Sequence, residues 1–202
     1  MTHHTKNFNH LVGKLPGFSA EQLEAHFELY RGYVKKINEI ENLIAKAKLD
    51  EANYSYAEIS ELYRRKSVPF NGAYLHELFF ENLTAERTDP SSVLLEMLTE
   101  DYGSLEDWYK YTQAALKSVN GWALLTYSHV NRALCTVALE EHHRGMLVEQ
   151  TILLAVDGWE HAYAIDYGIA KDKYYQAVKK CLDWNVASDR LDAAISQARV
   201  AA

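Results

Sequence analysis

The sequence is poor in the residues that define several common classes of protein. Only two cysteines occur among its 202 residues, too few for the disulfide framework of a small secreted domain. No apolar run approaches the roughly 18 residues that a membrane span requires, and polar residues occupy the place of a signal segment. These absences predict a soluble, cytoplasmic protein in which Cys135 and Cys181 are free thiols.

Positive charge is also scarce. The chain has 28 acidic and 21 basic residues, a formal net charge of −7. This balance excludes a basic field over the whole molecule, so we expect neither a nucleic-acid nor a membrane partner. A local ring of Lys and Arg could still steer a small anion. Phosphate-binding glycine loops and Gly-x-Ser-x-Gly nucleophile elbows are absent from the sequence as well.

Helical periodicity dominates the first half of the chain. Ser19 followed by Gln22 predicts a capping box that opens a helix, and apolar residues then recur at three- and four-residue steps with His26 on the buried face. Further helical patterns cover residues 40–48 and 57–65. Pro69 is predicted to break the chain before a last helix over residues 70–83 that contains His76.

Two stretches of this half read as irregular. The first 14 residues contain three histidines, His3, His4 and His10, and predict a flexible or lightly docked arm. The run Thr-Asp-Pro-Ser-Ser at 88–92 is the clearest turn cluster in the chain. We place a domain boundary there, which gives an N-terminal domain of residues 1–90 and a C-terminal domain of residues 91–202.

The apolar period changes from helical to two at Gly121. Residues 122–127, 133–139 and 151–156 read as strands, and helical patterns follow near 159–168, 171–181 and 186–199. Helices beside a small sheet linked by a hairpin favour the α+β class. The predicted fold is an N-terminal helical hairpin domain followed by an α+β domain, whose three-stranded antiparallel sheet is flanked by helices.

Asp157 and His161 follow the last predicted strand. Residues four apart lie on one face of a helical turn, or straddle a strand-to-helix junction at similar reach. A carboxylate oxygen and an imidazole nitrogen at this spacing can share a metal ion, but a structural pair has the same pattern. His26 and His76 from the helical half would complete a set of three nitrogens and one carboxylate.

The segments around these four residues carry a further pattern. It comprises Leu15-Pro16-Gly17-Phe18-Ser19 and Tyr33-Val34-x-x-x-Asn38 around His26, Asn71-Gly72-Ala73-x-x-His76-Glu77-Leu78-Phe79-Phe80, Tyr102-Gly103-Ser104, Gly121-Trp122-Ala123, and Asp157-x-Trp159-Glu160-His161-Ala162-Tyr163. In order and in spacing, these segments resemble the signatures of the iron/manganese superoxide dismutases. The resemblance spans about residues 11–184.

The resemblance implies a function and a ligand set. Each subunit would hold one Fe or Mn ion through His26, His76, Asp157 and His161, with two histidines from the first domain and the Asp–His pair from the second. The reaction would be ping-pong disproportionation of superoxide into oxygen and hydrogen peroxide. The protein would be a homodimer or tetramer.

The resemblance also implies roles for residues around the ion. Trp122 and Trp159 would line the pocket, although ordinary core tryptophans would look the same. Glu160 would bridge to His161 of the partner subunit, and Tyr163 would reach the partner's first helix.

Two positions depart from the family pattern. The gateway tyrosine usually lies eight residues after the first ligand, where this chain has Val34. Tyr33 matches the motif if one residue is deleted, which Gly32 could absorb, but Tyr30 lies on the same helix face. The usual active-site glutamine is also missing. In the second domain, the position of this glutamine falls in residues 140–143, so His142 or His143 could replace it. The alternative glutamine position, in the first domain, corresponds to Gly72. These departures leave the choice between Fe and Mn open, and they are compatible with use of both ions.

Two other functions compete with this interpretation. One is a metal-binding relative with weak or no dismutase activity, because of the altered tyrosine and the missing glutamine. The other is a two-metal carboxylate oxygenase, which requires paired Glu-x-x-His motifs, and the sequence lacks two paired copies.

Overall fold

Helices make up the first half of the protein and flank a small sheet in the second half. The computed structural model describes the backbone of residues 2–200 and the side chains of residues 2–196. The helices are α1 Ala20–Ile44, α2 Glu58–Glu81, α3 Ser92–Tyr102, α4 Leu105–Ser118, α5 Ala164–Tyr167, α6 Lys171–Cys181 and α7 Trp184–Val200, and the strands are β1 Trp122–Ser128, β2 Ala133–Leu139 and β3 Gln150–Asp157.

The helical hairpin consists of two long helices rather than four short ones. Ser19 caps α1 through a hydrogen bond from the Gln22 backbone N–H to Ser19 Oγ (3.0 Å), which is one half of the predicted capping box. The other half is absent, because the Ser19 backbone N–H donates to Asp166 Oδ2 instead of to the Gln22 side chain. The helix continues through the pattern at 40–48 as far as Ile44. The prediction that Pro69 breaks the chain is wrong, because α2 passes through it. A proline removes a single N–H donor, and α2, which packs along α1, continues without that bond.

The N-terminal arm is bound to this hairpin more firmly than the sequence suggests. The backbone N–H of His3 donates to Asn38 Oδ1 (2.8 Å), and Asn38 Nδ2 donates to the His3 carbonyl (2.9 Å). Lys6 Nζ pairs with Glu77 (3.0 Å) and Glu81 (2.7 Å). Phe8 is buried in the core. The arm therefore braces the hairpin instead of moving freely.

The sheet brings three chain segments to one of its ends. Its strand order is β2-β1-β3, and β1 is antiparallel to both neighbours. Trp122 at the start of β1 is paired with Leu139 at the end of β2 and with Asp157 at the end of β3. Because β1 begins where the other two strands end, the segments that follow Leu139 and Asp157 leave the sheet beside Trp122.

The predicted fold class is confirmed. A hairpin of α1 and α2 is followed by an α+β region with a three-stranded antiparallel sheet and flanking helices. Within the described part of the chain, no helix combines the length and the apolar character needed to cross a membrane.

Gly32 provides a test of the uninterrupted α1. Nothing lies within 4 Å of the position that a Cβ would occupy there, and glycine inside a helix costs about 0.5–1 kcal/mol relative to alanine. Gly32→Ala should therefore raise the free energy of unfolding, measured by urea denaturation, by about that amount.

Gly72 in α2 is the matched control. A Cβ at this position would lie 2.8 Å from Cδ1 of the Tyr33 ring, and overpacking of this kind costs about 1–3 kcal/mol. Gly72→Ala should therefore destabilise the protein. A loss of stability in Gly32→Ala would contradict a regular helix at residue 32.

Candidate metal centre

Four side chains from distant parts of the chain meet between the hairpin and the sheet. They are His26 from α1, His76 from α2, Asp157 from the end of β3, and His161 from the 3₁₀ turn Glu160–Ala162. Asp157 Oδ2 lies 3.0 Å from His26 Nε2, 3.4 Å from His76 Nε2 and 3.2 Å from His161 Nε2. One donor atom from each residue lies within 4.8 Å of all the others.

The backbone explains why Asp157 faces this cluster. Its Oδ1 accepts a hydrogen bond from the Trp159 backbone N–H (2.9 Å), which closes a tight turn directly after β3. Its Oδ2 is left to the three imidazoles. Of the two arrangements open from the sequence, the structure has the strand-to-helix junction, because Asp157 ends a strand and His161 lies in the 3₁₀ turn.

Burial determines the charges in the cluster. It lowers the pKa of His26 and lowers that of His76 well below 6.5, so both imidazoles are neutral at pH 7. Burial by itself would raise the pKa of the Asp157 carboxyl, but the adjacent imidazoles of His161 and His26 hold that pKa well below 3.8. The carboxyl is therefore ionised, although it is fully buried.

The hydrogen bonds of His76 show that a cation fits between these groups. Its Nδ1–H donates to the Gly72 carbonyl, which leaves a lone pair on Nε2 in the neutral ring. That lone pair faces the Asp157 carboxylate and lies 3.3 Å from His161 Nε2. The space between these two nitrogens therefore suits either an N–H of His161 or a metal cation.

The spacing and type of the donors match one first-row metal ion. Neighbouring donors at roughly 2.1 Å from one ion are about 3.0–3.4 Å apart when the bond angles are 90–109°. The distances around Asp157 Oδ2 fall in this range. Three imidazoles with one carboxylate suit Fe, Mn and similar ions. The cluster is therefore a site for one metal ion.

Comparison with known proteins shows which family the chain resembles over most of its length. A sequence model of the C-terminal domain of iron/manganese superoxide dismutases matches residues 90–190. The superoxide dismutase [Fe] of Aquifex pyrophilus is 35% identical over 186 residues, which cover 90% of this chain and 87% of the relative. The superoxide dismutase [Mn] of Haloarcula marismortui is 32% identical over 185 residues, or 90% and 89% of the two chains.

The chain belongs to the iron/manganese superoxide dismutase family. One of the two histidines predicted to replace the family's active-site glutamine has a defined place beside the cluster. His142 is buried beside the cluster, and its Nδ1 accepts a hydrogen bond from Trp122 Nε1 (2.9 Å). Burial lowers the pKa of His142 to about 4. Its single proton is therefore on Nε2, which donates to the Tyr33 oxygen (2.7 Å).

In this superoxide dismutase, the two candidate tyrosines, Tyr30 and Tyr33, have different hydrogen-bond partners. The Tyr33 ring packs against His76, with 5.4 Å between centroids, and its hydroxyl meets His142. The Tyr30 hydroxyl instead donates to Glu77 Oε1 (2.6 Å) and accepts from the Lys6 backbone N–H (2.9 Å). Contrary to the expectation that either phenol could reach the cluster, Tyr30 is turned away from it.

No local distortion at Gly32 accompanies the shorter spacing from His26. The α1 helix continues through this residue, so a one-residue deletion here would leave the helix uninterrupted. A helix turns about 100° per residue, and seven residues therefore return to within about 20° of the starting direction.

The two neighbouring histidines at the glutamine position also have different surroundings. His143 lies beside Glu141, with 3.5 Å between Nδ1 and Oε2, and no hydrogen bond among the described residues joins its ring to the cluster. Asn71 Nδ2 donates to the His142 carbonyl (2.8 Å), which fixes this segment against α2. Only His142 is therefore connected to Tyr33.

The remaining predicted site residues are the two tryptophans, Glu160 and Tyr163. The Trp122 ring meets His76 edge to face at 5.1 Å, and the Trp159 ring is nearly parallel to that of His161, at 12° and 6.2 Å. Glu160 is exposed. Tyr163 is buried and stacks on Tyr174.

Two residues at the site escaped the sequence analysis. Tyr174 donates from its hydroxyl to the Asp157 carbonyl (2.8 Å), and no local pattern distinguishes it from an ordinary core tyrosine. Gln22 was predicted only as a capping residue, whereas its side chain donates to the His161 carbonyl. A polar residue on the buried face of α1, one turn before His26, was the available signal.

Proposed function

We propose that this protein disproportionates superoxide to oxygen and hydrogen peroxide at one Fe or Mn ion held by His26, His76, Asp157 and His161. The observation that supports this assignment is the convergence of three imidazole nitrogens on one ionised, buried carboxylate in a chain of this family. The bound ion supplies one-electron exchange with superoxide by alternating between its +3 and +2 states. Because the ligand set contains only one negative charge, the loaded site keeps a positive charge that attracts the anion.

Tyr33 is the residue that presents a hydrogen to the anion. Its oxygen accepts the hydrogen of His142 Nε2, so the Tyr33 hydroxyl hydrogen remains available for donation. Burial raises the pKa of Tyr33, and the phenol is therefore protonated at neutral pH. Formation of peroxide consumes two protons, and the Trp122–His142–Tyr33 chain orients one donor for this step.

The aromatic rings keep the pocket small and dry. Trp122 is fully buried against His76, and the Trp159 ring lies nearly parallel to that of His161. Exclusion of bulk water strengthens the attraction between a small anion and a charged site. The two tryptophans therefore favour superoxide over larger anions.

The relatives support use of both metals. Similar proteins are named for Fe in Aquifex pyrophilus and for Mn in Haloarcula marismortui, at 35% and 32% identity. An imidazole with one N–H occupies the position where the family pattern has a glutamine amide. We therefore propose that the protein is active with either ion.

Two features beyond the site complete the proposal. The exposed Glu160 adjoins His161, the ligand whose side chain is 29% exposed, and a homodimer would cover this face by pairing Glu160 with His161 of the partner subunit. The domains are residues 1–90 with two ligands and residues 91–202 with the other two. The free thiols Cys135 and Cys181 support a cytoplasmic location.

Superoxide decay measured with separately loaded Fe and Mn protein tests the activity. Both forms should accelerate decay well beyond an equal concentration of the free ion, and His76→Ala should fail to retain stoichiometric metal. If neither loaded form exceeds the free ion while metal remains bound, the protein is a metal-binding relative without dismutase activity.

The tyrosine pair tests the role of Tyr33. Tyr33→Phe should lower turnover at least about tenfold and change its pH dependence, because general acids contribute about 10²–10⁴-fold. Tyr30→Phe should leave the pH profile unchanged but lower the free energy of unfolding by about 1–3 kcal/mol, because a buried carboxylate oxygen of Glu77 loses its donor. The opposite assignment of effects would make Tyr30 the gateway.

Sedimentation of the native protein tests the assembly. A dimer should be found at micromolar concentration, and Glu160→Ala should shift it towards the monomer. Glu96, which is also exposed and lies on α3, provides the control Glu96→Ala, for which no shift is expected. A monomer at all concentrations would exclude the proposed pairing.

A further inference from the structure

We propose that Gln22 is a positioning residue that fixes the main chain of His161 relative to His26. The inference rests on the proposed metal site, but it concerns a side chain that neither coordinates the ion nor touches the substrate. Gln22 is only 1% exposed. A buried amide of this kind is costly unless its hydrogen-bonding groups are satisfied.

Both ends of the Gln22 amide are bonded to the segment that contains His161. Its Nε2 donates to the His161 carbonyl (2.6 Å), and its Oε1 accepts from the Ile165 backbone N–H (3.1 Å). The side chain thus bridges the 3₁₀ turn Glu160–Ala162 and the start of α5. A single amide therefore fixes the backbone of the ligand and the backbone four residues beyond it.

His161 depends on this restraint more than the other ligands do. Its side chain is 29% exposed, whereas those of Asp157, His76 and His26 are at most 1% exposed. It also lies in a three-residue 3₁₀ turn rather than in a long helix or a strand. Packing alone therefore holds His161 less tightly.

Other bonds join the same two segments but do not reach the ligand. The Ser19 backbone N–H donates to Asp166 Oδ2 (2.8 Å), and the Tyr167 hydroxyl donates to the Gly17 carbonyl. These contacts attach the start of α1 to α5. Among these hydrogen bonds, the one from the Gln22 side chain ends on a ligand residue, His161.

The four-residue spacing of Gln22 and His26 in α1 couples the positions of the ligands His26 and His161. Gln22 and His26 are four residues apart and lie on the same helix face. One turn of α1 therefore contains the ligand His26 and also Gln22, which anchors His161. His161 lies 135 residues after His26 in the chain. The separation of these two imidazoles is set by helix geometry rather than by the loop around His161.

Gln22→Met tests the inference, because it keeps the volume and removes both hydrogen bonds. Gln22→Glu is a second variant that retains an acceptor for Ile165 but loses the donor to the His161 carbonyl. Mn²⁺ affinity is measured by chelator competition, and thermal unfolding is followed with and without Mn²⁺. Both variants should bind Mn²⁺ about tenfold or more weakly, since loss of an outer partner of a ligand typically costs 10–100-fold, and the stabilisation by Mn²⁺ should shrink accordingly.

Ser188→Ala is the matched control. The buried Ser188 hydroxyl accepts from the Ser91 backbone N–H (3.0 Å) and donates to the Trp184 carbonyl (2.8 Å), and neither partner belongs to the site. This variant should lower the unfolding temperature equally with and without Mn²⁺, with unchanged affinity. The same behaviour in both Gln22 variants would overturn the inference. Stoichiometric Mn²⁺ in His76→Ala would instead overturn the ligand set, so the two failures are distinguishable.

Discussion

The structure depends on one buried negative charge. The Asp157 carboxylate is fully inside the protein, and an isolated ion in such a place would be highly unfavourable. Its Oδ1 is satisfied by a backbone N–H and its Oδ2 faces three imidazoles, two of which are kept neutral by burial. A metal ion held there would add to this stabilisation, because it would bind the carboxylate and the nitrogen lone pairs together.

The two halves of the chain contribute different groups to the cluster around Asp157. The hairpin supplies imidazoles from two helices, whose side-chain directions are fixed by packing. The sheet supplies the carboxylate through its register, because Trp122 and Asp157 are paired across β1 and β3. A shift of β3 by one residue in that pairing would turn the Asp157 side chain to the opposite face from Trp122. The arm, bound to Glu77 beside His76, braces the hairpin close to the site.

Much of this arrangement could be predicted from the sequence. Periodicity indicated the helices and strands, and the motifs around His26, His76, Asp157 and His161 named the residues that the structure brings together. Choosing between Tyr30 and Tyr33 required coordinates, because both point in similar directions from α1. Glu77 on the neighbouring helix and Lys6 on the arm capture the Tyr30 hydroxyl. Continuity of α2 through Pro69 and the long-range bonds of Gln22 likewise depend on partners that no local pattern reveals.

The distribution of the four ligands along the chain has a consequence for biosynthesis. His76 and His161 are 85 positions apart, an interval of roughly 4–17 s at translation rates of about 5–20 residues per second. The hairpin can form early because its contacts are local, and during that interval the nascent chain presents only half a site. Productive capture of the ion must therefore await the end of β3 and the turn beyond it.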